Sequence, residues 1–257
     1  MPVSIVRIWA LILGVFISQA SFAQPESRYY ECEVLNHEPW SRLLQKHVST
    51  AGFVSYSGFR EDSVALNSYL RLVSKCLPSA TWSREDRLAY WINAYNAFTV
   101  KLIIDHYPVK SIKDIGSKLV VPFVNSVWDA KFFSIGGVQM SLNQIEHSIL
   151  RKQFDEPRIH FAIVCASISC PSLLNAAYTA SDLENQLQRQ TLAFIQDTTK
   201  NHLSLNHLKL SSIFKWFKSD FTKHGSLKQF VAKYADEPIA PRAKVDFLEY
   251  NWELNGN

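Results

Sequence analysis

Residues 83–107 read Ser83-Arg84-Glu85-Asp86 and then RLAYWINAYNAFTVKLIIDHY, and this stretch decides the fold. Ser83 suits an N-cap, because its hydroxyl can accept from an amide that the first helical turn leaves without a partner. Asp86 stands three residues on, at the capping-box position. Pro108 ends the helix, since proline biases the residue before it away from helical backbone. Between these ends the apolar residues run almost all the way round the helix rather than along one stripe. Such a helix is predicted to lie at the centre of a domain, covered on every side.

On the N-terminal side, Trp40–Val48 and Asp62–Lys75 carry apolar residues at three- and four-residue intervals (Val64, Leu66, Tyr69, Leu70, Val73), which predicts two amphipathic helices. On the C-terminal side the period changes. Phe132 to Ile135, Gly136-Gly137 and Val138 to Met140 read as two short strands joined by a diglycine turn. A helix over 143–152 follows, with Asn143 as N-cap and Glu146 at the capping-box position. Ile159 to Cys165 is a near-continuous apolar run, fit for a strand covered on both faces, and it ends in the Ser/Pro-rich loop 166–172. Ser181 and Glu184 form a further capping box that opens a helix over 182–198. Leu203-Ser204-Leu205 and Leu208-Lys209-Leu210 suggest a second hairpin, followed by short helices around 212–219 and 226–234. The predicted fold class is α+β: a helix-rich single domain with a small buried sheet and two short hairpins.

The composition fits a folded protein. Of 257 residues, 47% are hydrophobic and 19% charged, with 16 Phe, 10 Tyr and 7 Trp, which excludes a disordered chain. Eight glycines exclude collagen-like and glycine-rich fibrous proteins. A net charge of +4, spread evenly, lacks the clustered basic stripe of a nucleic-acid binder, so no nucleic-acid partner is expected. There is no internal repeat and no linker rich in Pro, Gly or Ser.

The first residues read as an export signal. Arg7 supplies the positive region, Ile8 to Ile17 the apolar stretch, and Ser21-Phe22-Ala23 the small-x-small cleavage site. Cleavage after Ala23 leaves a single globular domain over 24–257, periplasmic or secreted. No later apolar run reaches membrane length, so no membrane span is expected after cleavage. In an oxidising compartment Cys32, Cys76, Cys165 and Cys170 allow three pairings, of which proximity favours Cys32–Cys76 and Cys165–Cys170. No Cys-x-x-Cys is present, which argues against a zinc ribbon or a thioredoxin-type redox motif.

Three segments share a further property. YWINAYNAFTV (Tyr90 to Val100), GGVQMSLNQIEHSILR (Gly136 to Arg151) and PRIHFAIVCASISCPSL (Pro157 to Leu173), in this order and followed by IFKWFKSDF (Ile213 to Phe221), resemble the "domain of unknown function 547" family. The resemblance spans about residues 87–221. It implies a fold and a probable site but no established activity.

The candidate chemistry lies in the same segments. Asn93 and Asn96 sit one turn apart in the apolar helix, where buried amides need partners, either loop backbone or a polar pocket. His160 and Cys165 are five residues apart. On a regular strand they would point to opposite faces, so His147 is the better partner for a Cys165 thiol. Neither Ser167 nor Ser169 has a Gly-x-Ser-x-Gly context. His147, His160, Cys165 and Cys170 match no zinc spacing, so neither a metal nor a cofactor is expected.

Two functions follow. In one, Cys165 is the nucleophile of a thiol-dependent hydrolase or acyl transferase, His147 its base, and Asn93 or Asn96 orients the imidazole or serves an oxyanion site. In the other, the loop holding Ser167 and Ser169, walled by Trp91, Tyr95 and Trp128, binds a small molecule or peptide without turnover. The redox state of Cys165 separates them: a free thiol favours chemistry, and a bridge to Cys170 favours binding.

Overall fold

Ser83 caps the central helix α4 (Arg84–His106) as predicted, its Oγ accepting from the Asp86 amide at 3.0 Å. Every residue from Leu88 to Val100 is buried, the consequence of an apolar surface that runs right round the helix. The computed structural model describes residues 32–116 and 126–257, so the predicted leader lies outside the described residues.

Helices α1 (Glu38–His47), α2 (Tyr56–Glu61) and α3 (Ser63–Lys75) pack around α4. The ring of Trp40 from α1 stacks on Tyr69 from α3, centroids 5.8 Å apart. From α4, the Tyr90 hydroxyl donates to the carbonyls of Val73 and Cys76, satisfying acceptors that the end of α3 would otherwise leave open. The expected Cys32–Cys76 bridge is present, Cα atoms 5.5 Å apart, and Trp82 Nε1 donates to the Cys32 carbonyl beside it. After α4 come the short α5 (Ile112–Gly116) and the hairpin β1 (Phe133–Ile135) and β2 (Val138–Met140). Gly136 and Gly137 both have positive φ, as this tight turn requires.

Two elements differ from those predicted. The helical run over 143–152 is capped two residues earlier than predicted: Ser141 Oγ accepts from the Gln144 amide, and Gln144 Oε1 accepts from the Ser141 amide. Glu146 is therefore released from capping. The run is a π-helix (Gln144–Leu150), closed by the Arg151 amide donating to the Glu146 carbonyl five residues back, and it continues as α6 (Arg151–Gln153). The second correction is larger. The predicted strand 159–165 is a 3₁₀ helix over Pro157–Phe161 followed by irregular backbone. Pro157 presets a helical φ at the first position, and Glu156 accepts from the Arg158 amide as its cap. The segment is apolar because it is buried, and burial produces the same run of residues in a helix as in a strand.

Helix α7 (Leu183–Gln196) forms without the Ser181–Glu184 box; Glu184 instead turns outward to Arg158. The second hairpin, β3 (His202–Leu203) and β4 (His207–Leu210), gains an unpredicted parallel neighbour, β5 (Lys244–Phe247). Between them lie α8 (Ser212–Trp216), α9 (Lys218–Phe221) and α10 (Leu227–Ala232). The fold is α+β and rich in helix. Its apolar residues form two clusters, one around α4 and a smaller one of Phe161, Phe194, Phe214 and Phe221 with β4 and α10. Among the described residues no helix is long and apolar enough to cross a membrane.

Candidate functional site

The two clusters meet at a cavity of about 180 Å³. α4 brings Tyr95 to it, the π-helix Glu146 and His147, and the 3₁₀ helix His160. The loop after that helix adds Cys165 and Cys170; α8 and the residue following it add Trp216 and Phe217. Tyr250 and Trp252 come from the C-terminal segment. That segment is laced to the loop: Ile168 N donates to Glu253 O at 2.8 Å, Asn255 N to Ala166 O, and Asn251 N to Ser169 Oγ. Ala166 has φ +60°, a left-handed conformation that costs energy in a residue with a side chain. The tail on one side and the Cys165–Cys170 bridge on the other hold it there.

With Cys165 bridged, the thiol nucleophile expected at this position is absent, and its sulfur instead faces the Tyr250 hydroxyl at 3.2 Å and Ser167 Oγ at 3.3 Å. The Tyr250 hydroxyl also donates to the Cys170 sulfur, so its polar end is occupied.

His147 lies at the same cavity and is engaged with Arg151. Its Nδ1 lies 2.8 Å from Arg151 Nη1 and accepts from it. Burial and the Arg151 charge both lower its pKa, so the ring is neutral at neutral pH. His160, set aside because of strand parity, is at the same cavity; with no strand there, the parity argument lapses. Its Nε2 is 2.8 Å from Asp220 Oδ2 and its ring stacks on Phe217 at 3.9 Å. Burial, helped by Arg151 and His147, lowers the His160 pKa against the opposing pull of Asp220. Burial alone would raise the Asp220 carboxyl, but the hydrogen bonds from His160 and Arg151 and the Arg151 charge outweigh it and hold the group well below the usual carboxylate range.

Glu146 is the residue that sequence reasoning placed wrongly. Its carboxyl is buried at the cavity, with the Tyr95 hydroxyl 3.5 Å away and His160 Nδ1 4.0 Å away, neither a close cation. Burial pushes its pKa up to about 7, against a smaller lowering by Arg151.

Asn93 and Asn96 are both engaged with loop backbone. Each amide clamps the backbone of one loop at both ends: Asn93 donates to Tyr178 O and accepts from Tyr178 N, and Asn96 donates to Ala162 O and accepts from Val164 N. Of the expected wall, Tyr95 and Trp128 line the cavity, whereas Trp91 is buried edge-on against Tyr90 away from it. Ser167 and Ser169 serve the loop, bonded to Tyr250 and Asn251. Sequence reasoning missed Trp216, Phe217, Asp220, Tyr250 and Trp252. The alternation in Tyr250-Asn251-Trp252 was the one available signal, an extended segment presenting two aromatics to one side. Among the described residues no three His, Cys, Asp or Glu side chains converge as a metal site.

Residues 79–195 match the model of the family described as protein of unknown function, DUF547. The match takes in α4, the π-helix and the bridged loop, and stops short of the IFKWFKSDF segment and the C-terminal aromatics that complete the cavity. Neither the curated proteins nor the solved structures give a match. Over that span, just under half of its length, the chain resembles the DUF547 family.

Proposed function

We propose that the protein is an exported small-molecule-binding domain, its ligand held in the cavity between α4, the π-helix and the C-terminal segment. The bridge between Cys165 and Cys170 carries this reading. It removes the one strong nucleophile in the cavity and turns the loop that bears it into a fixed wall. The described lining supports the same reading: aromatic rings from four separate segments, with a single carboxyl among them. The leader over 1–23 and two bridges accord with an oxidising compartment.

Thiol titration of the mature protein, native and then reduced in denaturant, tests the carrying observation. The expected result is no reactive thiol before reduction and four after. Ligand-induced thermal shifts should then survive treatment with an alkylating agent and shrink when the native protein is reduced first. A reactive Cys165 thiol, with a hydrolytic or acyl-transfer activity that alkylation abolishes, would return the site to thiol chemistry.

A further inference from the structure

We propose that the cavity binds a compact organic cation of the methylated-ammonium class, with the Glu146 carboxylate as its counter-ion and the rings of Trp128, Trp216, Tyr250 and Trp252 as its wall. This rests on the binding reading above and names its ligand class.

The polar groups at the cavity favour a cation. No Lys or Arg is among its described lining residues, so an anion has no partner there. Arg151, the nearest guanidinium, is held by Asp220 through Nε at 2.6 Å and Nη2 at 2.9 Å, and its Nη1 is given to His147. A neutral polyol would need free donors and acceptors. Asn143 spends its amide on Asp129, the Tyr250 hydroxyl is engaged with Ser167 and the two sulfurs, and His160 is engaged with Asp220. Glu146 is the one acidic side chain among the described lining residues, a buried carboxyl whose closest hydrogen bond is 3.5 Å long. A carboxyl in that position either keeps a proton or receives a cation.

The wall suits a cation without N–H donors. Trp128, Trp216, Tyr250 and Trp252 form one connected surface, with neighbouring ring centroids between 4.5 and 5.7 Å. Indole and phenol faces attract a desolvated ammonium through their quadrupoles. One face of Trp252 already carries a cation in this way, the Lys113 ammonium 3.9 Å from the ring centroid, so a ligand meets the other face of that ring. Trp216, 46% exposed, gives the site its opening. The cavity, about 180 Å³ and open on the Trp216 side, has room for a trimethylammonium group with a short tail.

Cation binding is tied to a proton. The groups facing Glu146 are Tyr95 of α4, Arg151 on its own helical run, His160 of the 3₁₀ helix, Asp220 of α9 and Tyr250 of the C-terminal segment. Both tyrosines stay protonated because burial raises their pKa, and His160 stays neutral, so Glu146 is the member of this set that changes charge near pH 7. Binding of a cation below that pH expels the Glu146 proton to solvent.

The probes are choline and its neutral isostere 3,3-dimethylbutan-1-ol, titrated calorimetrically into the mature protein at about pH 8 and about pH 6, either side of the Glu146 value. Choline is expected to bind at least about tenfold more tightly than the isostere at the higher pH, and the preference should shrink at the lower. Proton release during choline titration of the unmodified protein is expected at the lower pH, a reading that needs no variant. Glu146→Gln should keep only the smaller, pH-independent preference for choline that the rings supply. Equal affinities in the unmodified protein, or a choline preference in Glu146→Gln as large as that of the unmodified protein at about pH 8, overturn the assignment of a cation paired with Glu146 and leave the binding reading standing. If neither probe nor any member of a neutral and anionic small-molecule library binds, the binding reading fails together with it.

Discussion

His160 Nε2 lies 2.8 Å from Asp220 Oδ2, a bond that joins the 3₁₀ helix to α9 across sixty residues of chain. The same carboxylate receives Arg151 in a two-pronged contact. One side chain thus ties the two apolar clusters together beneath the cavity. Asp220→Ala would leave a partly buried guanidinium and a buried imidazole without their shared acceptor, and is expected to cost about 2–4 kcal/mol in urea unfolding at neutral pH. The folded-state pKa of Asp220 lies below its unfolded value, so its contribution is complete above about pH 4 and is lost as pH falls further. The deficit of Asp220→Ala relative to the unmodified protein should therefore narrow in acid. A deficit that stays constant down to the acid unfolding range would show that the ion pair is not its source.

Glu146 has the opposite sign. Its folded pKa, about 7, lies above the unfolded value, so the folded state holds a proton that the unfolded chain has lost between the two. Stability falls with rising pH across that window, and the full penalty is present above it. A shift of this size corresponds to about 3 kcal/mol at most. Glu146→Gln should accordingly be more stable than the unmodified protein at about pH 8 and indistinguishable from it at about pH 4. Guanidinium unfolding at the two pH values measures this. A variant less stable at both would mean that the carboxyl is ionised and well paired.

Much of the architecture can be read from local chemistry, because α4 carries its own cap, its own stop and an unbroken apolar surface. The diglycine hairpin is equally self-contained. The strand predicted at 159–165 failed because burial erases the periodicity that separates strand from helix, leaving Pro157 and Glu156 as the only local signs of a 3₁₀ turn. The cavity was half legible. His147, Cys165, Tyr95 and Trp128 come from segments whose residues looked out of place in a core. Tyr250, Trp252 and Asp220 are contributed by parts of the chain that carry no local sign of where they go. Glu146 was misread because a glutamate three residues after a plausible N-cap has a sufficient local explanation, and only the reciprocal Ser141–Gln144 bonds remove it.

The two bridges should differ in what they stabilise. Cys32 and Cys76 are 44 residues apart, and closing that loop in the unfolded chain corresponds to about 4 kcal/mol on the chain-entropy model. Cys165 and Cys170 are five apart, for which the same model gives about 2 kcal/mol. Replacing both members of the first pair with serine is expected to lower the unfolding free energy by roughly twice the loss seen for the second pair. Choline binding should respond in reverse order, weakening more when the cavity wall is unpinned. Equal losses of binding from both pairs, at matched folded fractions, would deny the second bridge its role as a wall.

Asn93 and Asn96 provide a comparison within one helix. Each makes two buried hydrogen bonds to loop backbone, of 2.8 and 2.9 Å for Asn93 and 2.9 and 3.0 Å for Asn96. Alanine at either position loses both bonds and strands a buried N–H and a buried carbonyl, an expected cost of about 2–4 kcal/mol. The loops they hold are different. Asn93 fixes Tyr178, which is away from the cavity, whereas Asn96 grips Ala162 and Val164 on either side of Ile163, a lining residue. Releasing that grip lets the wall and the adjoining Cys165 shift without touching any group that contacts ligand. Asn93→Ala and Asn96→Ala are therefore expected to be equally destabilised in urea, while choline affinity, measured where both are fully folded, falls several-fold only in Asn96→Ala. The same affinity in both variants would mean that the 162–164 backbone keeps its place without Asn96, and that the asparagine serves stability alone.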